Sequence, residues 1–273
     1  MAGQVRAGVL QGGLPLLWFG AGPPLVLLGG IEAGTANPVG TSQRTEALRF
    51  RRLASRFTVY SVRRPPLAAG TTMADIADAH RQALNAEFGR PVPVLGISTG
   101  GSIALKLAVD HPATVSRLVL LASACRLSDR GRAMQRRHAQ LTAAGDHRRA
   151  WAEDAPALTA SRFLLPVLAA AFWVLGPLMA PADPIGLLRA IEAEDAFDVT
   201  DRLGEVRAPT LVIGGTRDPY YSTELFRTTA EGMPNGRLRL LDGAGHGGTV
   251  TSRAATAAAL DFLLLDADAP VPH

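Results

Sequence analysis

Apolar residues recur along this chain in two rhythms. Short apolar runs bounded by glycine or proline predict strands, weak ones at 5–10 and 14–19 and firmer ones at Leu25–Leu28, Thr58–Val62, Val92–Ile97, Val115–Leu121, Thr210–Ile213 and Arg237–Leu241. Between them the spacing turns helical. Thr41–Ala54 carries Leu48, Phe50 and Leu53 on an imperfect face, and Ile76, Ala79, Ala83 and Leu84 recur on a helix capped by Thr72, running through Glu87 and stopped by Gly89. Ile103, Leu105 and Leu107 follow Ser98 until His111-Pro112, and a last helix spans about Ser252–Leu265 before a tail, Asp266–His273, that is expected to fray. Strand and helix alternate, as in a parallel sheet covered on both faces.

From about Cys125 to Gly204 the alternation stops, and the segment reads as helix and loop with no strand. A helical insertion between two strands of one sheet accounts for this. It divides the chain into a core of residues 1–124 and 205–273 and an insertion of residues 125–204. Within the insertion, Phe163–Ala180 (FLLPVLAAAFWVLGPLMA) holds 18 residues and no charge. That is near the lower length limit for crossing a bilayer. Pro166, Gly176 and Pro177 interrupt it, however, and the expectation is a pair of short helices, buried or facing a pocket.

Composition narrows the function classes. With 273 residues, 47% of them hydrophobic and 19% charged, the chain can bury a full core. The net charge of +4 rests on arginine, since Lys106 is the only lysine. The one basic cluster, from Arg126 to Arg149, reads as a solvated helix face, so no nucleic-acid partner is expected. The lone cysteine, Cys125, forms no internal disulfide and is expected to pack as a small apolar residue. Met1–Pro24 is broken repeatedly by glycine and proline and lacks a signal peptide's apolar run, so a cytoplasmic location is expected. No metal cluster, phosphate-binding loop or nicotinamide fingerprint is present, Gly20-Ala21-Gly22 lacking the surrounding pattern. No cofactor, metal or membrane insertion is expected.

Three short stretches carry chemistry. Gly96-Ile97-Ser98-Thr99-Gly100 follows an apolar strand and opens a helix, the context in which G-x-S-x-G presents a nucleophilic serine. A serine hydroxyl needs a base, usually histidine, oriented by a carboxylate. Asp218 lies past the strand at Thr210–Ile213, in Gly214-Gly215-Thr216-Arg217-Asp218-Pro219, and His246 lies past the strand at Arg237–Leu241, in Asp242-Gly243-Ala244-Gly245-His246-Gly247-Gly248. Asp242 is the competing acid. It stands at the start of the histidine's own loop and reads as a turn former. His80, His111, His138, His147 and His273 lack the strand-then-glycine setting of His246.

The order serine, acid, histidine, together with Pro209–Asp218 and Gly243-Ala244-Gly245-His246, resembles the α/β-hydrolase superfamily over nearly the whole chain. The resemblance implies an α/β fold with a mostly parallel eight-stranded sheet, helices on both faces and a helical cap inserted after the sixth strand. It also implies a catalytic triad of Ser98, Asp218 and His246. The oxyanion donors would be the backbone N–H of Thr99 and, from the loop Gly29-Gly30-Ile31, that of Ile31, although the histidine common in that loop is absent here. The implied reaction is cleavage of an ester-type bond of a small molecule through an acyl-enzyme. Phe172 and Trp173, in the uncharged stretch, are candidate substrate contacts that favour an apolar acyl or alcohol group. A serine nucleophile excludes the aspartate chemistry of haloalkane dehalogenases and epoxide hydrolases. Thioesterase, lactonase, carbon-carbon bond hydrolase and acyltransferase use the same triad, and a non-catalytic binding protein can share the fold.

Overall fold

The computed structural model describes residues 4–31, 34–159 and 161–265. Eight strands form one sheet: β1 (Arg6–Val9), β2 (Pro15–Gly20), β3 (Pro24–Leu28), β4 (Thr58–Val62), β5 (Val92–Ile97), β6 (Val115–Leu121), β7 (Thr210–Gly215) and β8 (Gly236–Leu241). Their spatial order is β1-β2-β4-β3-β5-β6-β7-β8. β1 and β2 form an antiparallel hairpin, β2 pairs antiparallel with β4, and all remaining pairs are parallel.

The strand runs are apolar throughout because both faces of the sheet are covered. Alternate residues divide between two cores: Val26, Val94, Leu118 and Val212 join one, and Leu25, Leu95, Val119 and Leu211 the other. Helices α3 (Met73–Phe88), α4 (Thr99–Asp110) and α10 (Thr223–Glu231) cover the first face. The short helices α1 (Thr41–Arg49) and α2 (Arg51–Ala54), with the C-terminal α12 (Arg253–Leu264), cover the second. Thr72 caps α3 in a reciprocal capping box with Asp75, and Gly89 ends it in the left-handed conformation, as its sequence requires. The helix expected over Thr41–Ala54 divides at Phe50. Ala47 and Leu53 are its buried contacts, whereas Leu48 faces solvent.

Between β6 and β7 the chain is helical: α5 (Asp129–Ala143), α6 (His147–Glu153), α7 (Ala155–Leu158), α8 (Leu164–Leu175), a 3-10 turn at Gly176–Met179, and α9 (Pro184–Asp195). A bridge between Arg126 and Asp198 and a hydrogen bond from Val199 N–H to the Cys125 carbonyl draw its two ends together. The stretch Phe163–Ala180 forms helices as its interruptions demand, Pro166 standing in the first turn of α8 where its missing N–H costs nothing. The expectation that this stretch is buried or faces a pocket is met only at its edges: no residue of α8 is buried, whereas Gly176 after it is, and Phe163 before it lines a cavity. The reason is local: α8 is apolar on every side, so its sequence names no inward face, and it packs mainly on α6. The tail from Asp266 onward lies outside the described residues.

Part of the arginine cluster is paired with acids. Arg136 meets Asp195, Arg137 meets Glu153 and Arg149 reaches Asp146 and Glu153. Cys125 is buried and packed.

Candidate active site

Ser98 occupies the sharp turn between β5 and α4, with φ 52° and ψ −124°. That left-handed backbone costs a side-chain-bearing residue roughly 1–3 kcal/mol, so the neighbouring contacts must hold it. Ser98 N–H donates to the Leu121 carbonyl, and the Ser98 carbonyl accepts from Gly101 N–H at 2.7 Å. The flanking glycines make the turn possible. A Cβ on Gly96 would lie 2.5 Å from the Gly100 carbonyl oxygen, and one on Gly100 would collide with the Leu28 carbonyl of β3.

Two and three parallel strands away, β7 and β8 deliver the partners. His246 begins the short helix α11 (His246–Val250). Its Nε2 lies 3.0 Å from Ser98 Oγ, and its Nδ1 lies 2.8 Å from Asp218 Oδ2. An ionised carboxylate only accepts, so Nδ1 carries the proton and Nε2 faces the serine as acceptor. The Asp218 side chain is 0% exposed. Its second oxygen accepts from the N–H groups of Tyr220, at 2.9 Å, and Tyr221, at 3.2 Å. The two tyrosine rings also flank the imidazole, Tyr220 edge-on at 4.9 Å between centroids and Tyr221 stacked at 6.1 Å. Asp242 is exposed and accepts from Thr216 Oγ1, which in turn accepts from Gly243 N–H. It holds its own turn, and the carboxylate bonded to the His246 ring is that of Asp218.

The residues expected to bind an oxyanion lie on either side of Ser98. Thr99 opens α4, so its N–H is among those that helix geometry leaves without an intrahelical acceptor, at the positive end of the helix dipole. On the other side runs the loop after β3. A Cβ on Gly30 would stand 3.5 Å from Ser98 Cβ, and the Ile31 carbonyl accepts from the buried Arg64 guanidinium.

A buried carboxyl group that sequence reasoning missed stands beside this turn. Glu194 of α9 accepts from Thr99 Oγ1 (2.6 Å), Ser102 Oγ (3.0 Å), Gln135 Nε2 (3.3 Å) and the Tyr221 hydroxyl (3.3 Å). Burial pushes its pKa up against the pull of those four donors. The Tyr221 hydroxyl is pushed up too, by burial and by the charges of Glu194 and Asp218. The signal was present in the spacing of α9, where Leu187, Ala190, Ile191 and Glu194 fall on one stripe.

A cavity of about 580 Å³ adjoins the histidine loop and is lined by Leu158, Arg162, Phe163, Arg217, Gly245 and Gly248, among others. The other two sequence candidates lie elsewhere. Phe172 packs on Trp151 with centroids 6.1 Å apart, and Trp173 is 48% exposed. Neither lines that cavity. Of the remaining histidines, His80 is buried with its Nδ1 on the Ile76 carbonyl, and burial lowers its pKa to about 4. Among the described residues no three metal-binding side chains cluster, and no helix is long and apolar enough to cross a membrane.

Known proteins match both the sequence and this geometry. A relative from Chromobacterium violaceum, named pimeloyl-[acyl-carrier protein] methyl ester esterase, is 30% identical over 84% of this chain and 89% of its own. RutD of Variovorax paradoxus (strain S110), provisionally named a carbamate hydrolase, is 31% identical over 72% of this chain and 75% of its own. A hydrolase structure from Pseudomonas aeruginosa superposes with a TM-score of 0.73 at 23% identity, covering 97% of this chain and 100% of that one. Because the sequence model of the alpha/beta hydrolase family spans residues 25–259, from β3 into α12 and through all three strand ends that carry Ser98, Asp218 and His246, the chain belongs to that family.

Proposed function

We propose that the chain is a serine hydrolase that cleaves a carboxylic ester of a small apolar substrate through an acyl-enzyme. The observation that carries this reading is the unbroken hydrogen-bonded line from Ser98 Oγ through the His246 ring to a fully buried Asp218 carboxylate. Ser98 Oγ attacks the ester carbonyl carbon while its proton passes to His246 Nε2. Asp218 stabilises the resulting imidazolium and holds the ring in place. The tetrahedral oxyanion is received by the N–H groups of Thr99 and Ile31, and loss of one such donor typically costs about 100- to 1,000-fold in turnover. Collapse expels the alcohol, which takes the proton from Nε2. Water then loses a proton to Nε2 and attacks the acyl carbon, and Ser98 leaves with that proton.

The segment 125–204 serves in this reading as the cap over the site, with Leu158 and Phe163 supplying apolar lining in place of Phe172 and Trp173. A carbamate carbonyl would enter the same steps, and the name of the Variovorax relative favours testing it beside the esters. Intact-mass analysis after a fluorophosphonate probe tests the chemistry directly. The wild type should gain one adduct and Ser98→Ala none; a folded wild type that stays unlabelled would refute an activated Ser98. Rates on matched soluble esters and carbamates then distinguish the two substrate classes.

A further inference from the structure

Helix α8 is apolar on all sides, yet none of its residues is buried. Such a helix normally belongs in a core or a bilayer, and its 12 residues span only about 18 Å, too short to cross one. It is the centre of a larger feature. Among the described residues, nine of the fourteen exposed large apolar side chains fall between Leu158 and Ile185, including Phe163 at 73%, Val174 at 65% and Leu178 at 84% exposure. A contiguous concentration of this kind marks a surface that something else covers.

The charges around the ridge point to what covers it. In the same helical segment Arg136, Arg137 and Arg149 are paired with acids. The two that flank α8 are not: among the described residues, neither Arg148 nor Arg162 has a carboxylate within 4.0 Å. Arg162 lies over the Phe163 ring at the start of the helix, 4.7 Å from its centroid, and Arg148 donates to the Trp173 carbonyl near its end. The uncharged stretch Phe163–Ala180, framed by these two cations and followed by one exposed acid, Asp183, complements an anionic lipid layer, which offers acyl chains to the ridge and phosphates to the guanidiniums at one depth. Trp173, half exposed on the ridge, is a residue suited to the headgroup boundary. The ridge also runs into the cavity beside the His246 loop, since Arg162 and Phe163 belong to both.

We infer that α8 and its flanking turns form an interfacial docking surface by which the protein binds an anionic membrane without spanning it. The proposal is read by vesicle partition, with ester hydrolysis only a control on the variants, so it stands or falls separately from the ester reading. The full chain should co-sediment with phosphatidylcholine vesicles that contain phosphatidylglycerol and bind pure phosphatidylcholine more weakly. Val167→Glu with Val174→Glu should lower partition to the anionic vesicles at least about tenfold, with unchanged circular dichroism and unchanged hydrolysis of a soluble short ester. Should that pair fail to fold, Leu178→Ser provides a milder loss in the same direction. Arg148→Ala with Arg162→Ala should remove the preference for anionic vesicles and leave binding to pure phosphatidylcholine as it was. The proposal is overturned if the wild type remains in the supernatant with both vesicle types, or if the two glutamates leave partition unchanged. It is also overturned if light scattering shows a two-chain particle that they convert to single chains without any vesicle binding, which would assign the ridge to a second copy.

Discussion

Leu118 and Leu178 are the same residue under opposite rules. Leu118, in β6, is closed in between the sheet and the helices over it, whereas Leu178, just past α8, is 84% exposed. The difference lies in how the two parts of the molecule are built. A central strand has two faces, and each already has a helical layer assigned to it, so every apolar residue of β6 from Leu118 to Leu121 finds a place. A helix in the segment between β6 and β7 has only the neighbours that the loops bring it, and α8 packs mainly on α6, with smaller contacts to α7 and the 3-10 turn. The proposed catalytic groups all hang from the first kind of structure, at the ends of β5, β7 and β8.

The largest effects should therefore come from the strand ends. Ser98→Ala should lower ester turnover by about a million-fold, the scale seen when a triad member is removed, while thermal unfolding stays near the wild-type curve. Retention of a tenth of the rate, in protein free of host esterases, would remove Ser98 from the mechanism. Next comes the orienting acid. Asp218→Asn should cost about 10,000-fold, whereas Asp242→Asn, which disturbs only its contact with Thr216, should change turnover little. The reverse ranking in steady-state kinetics would transfer the role to Asp242.

Stability should sharpen the same contrast. Leu118→Ala empties a packed position and should destabilise the fold by about 2–5 kcal/mol. Leu178→Ser, on the exposed turn, should stay within about 0.5 kcal/mol. Urea unfolding of both variants measures the gap, and comparable losses would mean that the ridge is packed in solution.

The same contrast explains what the sequence revealed. Eight strands and the three groups at their ends were legible, because a strand, a glycine-bounded turn and a functional residue coincide locally in Gly96–Gly100 and Gly243–His246. The early hairpin and the break at Phe50 shifted boundaries by a residue or two without disturbing the order. Direction was illegible in the helical segment. With leucine, valine, phenylalanine and tryptophan all around α8, periodicity could not say whether Phe172 and Trp173 turned toward the site, and in the structure they line no part of the cavity by His246. Tyr220 and Tyr221 were missed because they hold Asp218 through backbone N–H groups, which every residue has. Glu194 was missed because Glu192, Glu194 and Asp195 together look like a solvated turn of helix, although one of them shares the inward stripe.

Glu194 breaks the contrast from the other side, since it is a polar residue of the helical segment that is as good as fully buried. It ties α9 to the serine turn through Thr99 and Ser102. Burial raises its pKa above the ordinary glutamate value of 4.5. An acid with a higher pKa in the folded than in the unfolded chain binds more protons in the native state between those two values, so stability falls as pH rises through that interval and is level beyond it. Glu194→Gln keeps the shape and the uncharged state of the protonated carboxyl. At a pH near 4.5 the variant should differ from wild type by only about 1 kcal/mol, the scale of one exchanged hydrogen bond. As pH rises the wild type should lose stability that the variant retains, so their unfolding midpoints should separate on the alkaline side in favour of the variant. Midpoints that run parallel from acid to alkaline pH would mean that the carboxylate is ionised throughout. In that case its four donors, and not its burial, would govern the contact between α9 and the serine turn.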